Sequence, residues 1–125
     1  MLEYSLAIKI KPDYYIALNN RGSAKFELED YKGAIADFTA SIKIKTDYAY
    51  AYNNRAAAKC KLEDYNGVIK DCNVAIKLNA KYGYAYLNRG IAKEMLRDPE
   101  GACADWTKAE EYGIKTAKSY LQDCN

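Results

Sequence analysis

Asp13–Thr46 reads DYYIALNNRGSAKFELEDYKGAIADFTASIKIKT, and Asp47–Ala80 reads DYAYAYNNRAAAKCKLEDYNGVIKDCNVAIKLNA. Laid one on the other without a gap, the two stretches agree at about half of their positions, the self-similarity that marks a repeat array. Lys81–Ile114, KYGYAYLNRGIAKEMLRDPEGACADWTKAEEYGI, is a third copy. The interval is 34 residues, as Arg21, Arg55 and Arg89 show. Upstream, YSLAIKIKP matches Phe38–Thr46, so residues 1–12 read as the second half of an earlier unit. Downstream, residues 115–125 read as a closing helix, with Ala117, Tyr120, Leu121 and Cys124 on one face and Gly113 as a stop before it.

Each copy divides into two segments with apolar residues at helical spacing. In the second copy Ala51, Tyr52, Ala58 and Leu62 share one face of the first segment, and Val68, Ile69, Cys72, Ala75 and Ile76 share one face of the second. Between the segments stand Asp30, Asp64 and Asp98. A short carboxylate at a helix start accepts from the unpaired amides of the first turn. Pro99 then falls at the first helical position, where its missing N–H costs nothing. A connection this short makes the two helices antiparallel neighbours.

The 34-residue helix-turn-helix unit resembles the tetratricopeptide repeat. Gly22, Ala56 and Gly90 match that family's small position in the first helix. Ala34, Val68 and Ala102 match its early small position in the second helix, Phe38, Cys72 and Trp106 its large apolar one, and Ser41, Ala75 and Ala109 its next small one. Pro12 matches the terminal proline, which Thr46 and Ala80 replace in the later copies. Arg21 and Lys25, with their equivalents, stand where the family often has leucine and an aromatic residue. The resemblance implies an all-α fold: a right-handed α-solenoid of antiparallel helix pairs. It would contain three units (13–46, 47–80 and 81–114), a half-repeat over 1–12 and a capping helix over 115–125.

Arg21, Arg55 and Arg89 recur with Asp37, Asp71 and Asp105, and each pair lies on the two helices of one copy. An ion pair within each repeat is expected, in preference to an arginine row that captures anions. In the family the first helices line a concave groove that holds peptides. Carried across, the groove positions are Ile16, Asn19, Asn20 and Ser23, then Tyr50, Asn53, Asn54 and Ala57, then Tyr84, Leu87, Asn88 and Ile91. Phe26, Glu27, Cys60, Lys61, Glu94 and Met95 continue the same rows.

Asn20, Asn54 and Asn88 recur in register, although asparagine is a poor residue inside a helix. A carboxamide both donates and accepts, so a row of them can grip the backbone of an extended peptide. The competing reading is that each bonds a neighbouring helix or water and was copied by duplication. The family's carboxylate clamp uses lysines and an arginine beside its asparagines. Those places hold Asn19, Ser23, Tyr84 and Asn88 here, and only Asn54 fits, so no clamp of that kind is expected.

Composition narrows the alternatives. The chain has 125 residues, 50% hydrophobic and 29% charged, with 19 basic against 17 acidic residues. The resulting net charge of +2 gives no electrostatic argument for nucleic acid or a membrane. No apolar run approaches a membrane span, and the start lacks the pattern of a signal peptide. Histidine is absent and no cysteine pair has metal-ligand spacing, so no metal or cofactor is expected. Cys60, Cys72, Cys103 and Cys124 read as free thiols, which places the chain in a reducing cytoplasm. No glycine-rich phosphate loop or nucleophile motif supports an enzyme. A scaffold for a protein or peptide segment is the expected function. Its rival is a self-assembling module, a homo-oligomer formed through the Leu2, Leu6 and Ile10 face of an N-terminal half-repeat.

Overall fold

In a computed structural model, residues 14–124 are described. The Leu2, Leu6 and Ile10 face lies outside them. The described residues form seven helices: α1 (Tyr15–Glu27), α2 (Tyr31–Ile44), α3 (Ala49–Lys61), α4 (Tyr65–Leu78), α5 (Gly83–Met95), α6 (Pro99–Glu111) and α7 (Ala117–Leu121). They pack as antiparallel pairs α1–α2, α3–α4 and α5–α6, each pair stacked on the next, with α7 against α6. This is the all-α solenoid expected from the repeat.

The turn inside each pair is built the same way three times. Asp30, Asp64 and Asp98 cap α2, α4 and α6 by accepting from the amides of Gly33, Gly67 and Gly101 at 3.0, 3.1 and 3.0 Å. The residue before each aspartate, Glu29, Glu63 or Arg97, takes a left-handed backbone with φ of 62, 62 and 67°. The Asp30 amide then donates to the Lys25 carbonyl at 2.8 Å and the Glu29 amide to Phe26 at 2.9 Å. This Schellman geometry satisfies carbonyls the helix end leaves open. After α6 the same role falls to Gly113 at φ 95°.

The links between pairs need another device, because Thr46 and Ala80 replace the proline. Tyr52 and Tyr86 each donate a hydroxyl back to the carbonyl six residues earlier, of Thr46 and Ala80, at 2.8 Å. Ser41 likewise donates to the Tyr15 carbonyl at 2.8 Å, tying α2 to the start of α1.

Packing inside each pair trades volume across one contact. Gly22 faces Phe38, Ala56 shares a buried cluster with Cys72, and Gly90 faces Trp106. A Cβ at Gly22 would lie 2.6 Å from the Phe38 ring, and one at Gly90 would lie 2.5 Å from Trp106 Nε1. Where the second helix carries a large ring, the first carries no side chain. Leu62, expected on the apolar face of α3, is instead its exposed C-cap.

Two cysteines depart from the free-thiol reading. Cys103 of α6 and Cys124 form a disulfide with Cα atoms 5.9 Å apart. The chain doubles back over α6, where Leu121 and Cys124 join the cluster around Trp106 and Ala117. Closeness created by that reversal has no signature in cysteine spacing. Cys60 and Cys72 remain free, and burial pushes the Cys72 thiol up to about 12.

Candidate functional site

The first helices α1, α3 and α5 touch in sequence along one side of the array. Ile16, Tyr50 and Tyr84 occupy equivalent positions in their first turns and are exposed, the two tyrosines by 58% and 55%. One helical turn further on lie Asn20, which is exposed, and Asn54 and Asn88, which are half-buried. Ser23, Ala57 and Ile91 follow, also half-buried. Ser23, Phe26, Glu27, Asn54 and Ala57 line a cleft of about 180 Å³ between α1 and α3, with Phe38 reaching it from behind.

Asn19, Asn53 and Leu87 do not stand on that wall. Asn19 and Asn53 are only 6% and 7% exposed, and Leu87 is buried as well. Asn54 donates Nδ2 to Asn19 Oδ1, and Asn88 donates Nδ2 to Asn53 Oδ1, both at 3.0 Å. Asn19 and Asn53 also share side-chain hydrogen bonds with Tyr48 and Tyr82. These asparagines therefore join one repeat to the next. Leu87 fills the equivalent place in the third copy and packs with Tyr86, Trp106 and Ala117 instead. The sequence offers one hint of this difference: the Asn20 row is complete, whereas the Asn19 row breaks at leucine.

The amide pairs use one N–H of Asn54 and Asn88. A carboxamide has two N–H donors and an oxygen with two lone pairs, so each keeps a donor and its acceptor oxygen for the groove. Beside them the rings of Tyr15 and Tyr48 (4.9 Å), Tyr48 and Tyr50 (5.5 Å), and Tyr50 and Tyr82 (5.6 Å) meet edge to face. That unbroken aromatic chain crosses from the first repeat to the third. Burial pushes the Tyr82 phenol up to about 12 against the lowering effect of Asn53, so it stays neutral at physiological pH.

The arginines are engaged elsewhere. Arg21, Arg55 and Arg89 each grip Asp37, Asp71 or Asp105 with two nitrogens, at 2.7 to 2.9 Å. Lys25, Lys59 and Lys93 reach the same carboxylates at 3.1, 3.0 and 3.1 Å, making a triad in every repeat. The aspartate hydrogen bond raises each arginine's pKa, so the charge is held firmly. The third arginine nitrogen crosses to the preceding repeat: Arg55 donates to Thr39 at 3.2 Å and Arg89 to Asn73 at 2.9 Å. The exposed charged residues within α1, α3 and α5 are Glu27, Lys61 and Glu94. Among the described residues no cluster of histidine, cysteine or carboxylate side chains could hold a metal, and no helix is long and apolar enough to cross a membrane.

No family model and no curated protein matches the sequence. Solved structures do match. The second TPR domain of human RPAP3, in complex with the HSP70 peptide SGPTIEEVD, is 31% identical with a TM-score of 0.82, over 89% of this chain and 95% of that one. The chain belongs to the tetratricopeptide repeat family. Two further members resemble it over most of their length. The first TPR of Spaghetti (RPAP3), bound to the HSP90 peptide SRMEEVD, is 27% identical over 90% of both chains with a TM-score of 0.85. The Arabidopsis OM64 TPR domain is 28% identical over 89% of this chain and 96% of that one, with a TM-score of 0.83.

Proposed function

We propose that this tetratricopeptide array is a scaffold that holds an extended peptide segment of another protein along α1, α3 and α5, and that it catalyses nothing. The observation that carries the reading is the double row on that wall. Exposed side chains at Ile16, Tyr50 and Tyr84 run beside carboxamides at Asn20, Asn54 and Asn88. Family members of similar shape bind peptides, which supports a peptide as the ligand. The carboxamides supply backbone hydrogen bonds, each worth about 0.5–1.5 kcal/mol net, so affinity near the micromolar range is expected.

The peptide differs from those of the relatives. The EEVD ending carried by both HSP peptides needs cations, and the triads hold Arg21, Arg55, Arg89 and their lysines on buried aspartates. Selection of a peptide library on the chain, repeated with Asn54→Ala, tests the reading. Peptides that bind both proteins equally would remove the asparagine ladder. Assembly of the chain on itself through Leu2, Leu6 and Ile10 is tested by sizing across concentrations; a monomer throughout excludes it. The cytoplasmic setting is likewise a proposal. It rests on the free thiols Cys60 and Cys72, and trapping thiols in intact cells shows whether Cys103 and Cys124 are joined there.

A further inference from the structure

The aromatic wall and the spacing of the repeats together select among backbone conformations. Tyr50 and Tyr84 sit at equivalent places on the neighbouring helices α3 and α5, with Ile16 in the same row on α1. Axes of packed helices are about 8–10 Å apart. A polyproline II chain rises ~3.1 Å per residue with three residues per turn, so a side chain returns to the same face every ~9 Å. A β-extended chain presents a side chain to one face at every second residue, about 6.6 Å, and its third residue points away. At that spacing the polyproline helix keeps step with one apolar side chain per repeat, Ile16, Tyr50 or Tyr84, more closely than a β-strand does.

The polar row agrees. Asn54 and Asn88 offer their spare Nδ2 donors at the same interval, after giving one N–H to Asn19 and Asn53. Proline presents a carbonyl and no N–H, and polyproline II leaves its carbonyls free of internal hydrogen bonds. Donor side chains beside exposed aromatic rings are what such a chain can use. Charge points the same way. Of the exposed charged residues on α1, α3 and α5, Glu27 and Glu94 are acidic and only Lys61 is basic, so these helices offer an acidic segment little cationic surface.

We infer that the groove takes a proline-rich, non-acidic segment in the polyproline II conformation, with successive turns seated on Ile16, Tyr50 and Tyr84 and carbonyls held by Asn54 and Asn88. The inference rests on the peptide-holding function proposed above and names the class of peptide.

The test is fluorescence anisotropy with a labelled peptide of repeating Pro-Pro-Ala units, roughly nine residues and about 28 Å long. It is compared with a serine-for-proline control, an acidic peptide ending in EEVD, and a randomised library. The proline peptide is expected to bind at least about tenfold tighter than the serine control. Tyr84→Ala and Tyr50→Ala are each expected to weaken it at least about fivefold, with Tyr50→Phe close to the parent. Among the described residues Tyr84 makes no ring contact with a neighbour, so Tyr84→Ala serves if Tyr50→Ala fails to fold. Equal binding of proline and serine peptides, stronger binding of the acidic peptide, or indifference to Tyr84→Ala overturns the proline assignment and leaves a peptide groove in place. Retention of no peptide, library included, overturns both.

Discussion

Replacing Asp71 by asparagine removes the charge that holds Arg55 and Lys59 in the middle of the array. Its carboxylate is 4% exposed and receives two arginine nitrogens and a lysine within 3.0 Å, while the two cations keep about a fifth of their surface in water. Breaking a buried ion pair by deleting one partner costs about 3–5 kcal/mol, because an uncompensated charge is left behind. The residual exposure of Arg55 and Lys59 puts Asp71→Asn near the lower figure. At roughly 4 °C per kcal/mol for a domain of this size, about 3 kcal/mol lowers the melting temperature by ~12 °C. Asp47 pairs with Lys45 at 3.2 Å, but both side chains are about half exposed. Asp47→Asn should therefore cost under ~0.5 kcal/mol. Joint replacement of Arg55, Lys59 and Asp71 by Leu, Met and Leu should restore most of the loss. Thermal and urea unfolding of the four proteins decides the matter. If Asp71→Asn melts with Asp47→Asn, or the triple variant is as weak as the single, the triads do not act as argued.

Other expectations concern packing, the tail and pH. Cys72→Phe alone overpacks the second repeat by about 1–3 kcal/mol; adding Ala56→Gly recreates the Gly22–Phe38 pairing and should recover most of it, as unfolding midpoints will show. Gly90→Ala, driven against Trp106, should cost a similar amount of stability. Reduction or Cys124→Ser opens a crosslink spanning 21 residues, worth about 3 kcal/mol by loop entropy, and should raise quenching of Trp106 fluorescence by acrylamide. Because the fold raises the Tyr82 phenol from 10.0 to about 12, it binds that proton more tightly than the unfolded chain does. The associated stability is complete below pH 10 and is lost as pH climbs from 10 to 12; Tyr82→Phe should flatten that part of the curve.

Much of the fold could be read from the chain because each duplicated position carries the same local instruction three times. Asp30, Asp64 and Asp98 announce helix starts by chemistry alone, and the arginine and aspartate rows recur together. The left-handed residues Glu29, Glu63 and Arg97 carry no sequence signal, since none is the glycine or asparagine that usually marks that conformation. Lys25, Lys59 and Lys93 stand where the family often has an aromatic residue, but only the packed helices show the aspartate they share with arginine. The site was harder to read. Asn19 and Asn20 are adjacent on one helix, and which of them meets a ligand depends on how closely the next repeat approaches. That is set by the superhelix, not by α1. The Cys103–Cys124 bond likewise depends on a chain reversal between distant positions.

Neighbouring repeats are fastened on two sides of the same helices. Asn54 and Asn88 reach back through carboxamides at the groove, while Arg55 and Arg89 reach back to Thr39 and Asn73 from the charged triads. Two rivets at different points resist both hinging and twisting, so the pitch of the array is held like graduations on a ruler. A partner that fits those graduations needs no rearrangement of the array, and the entropic penalty of docking falls on the partner. Stiff partners are thereby favoured over supple ones of equal chemistry.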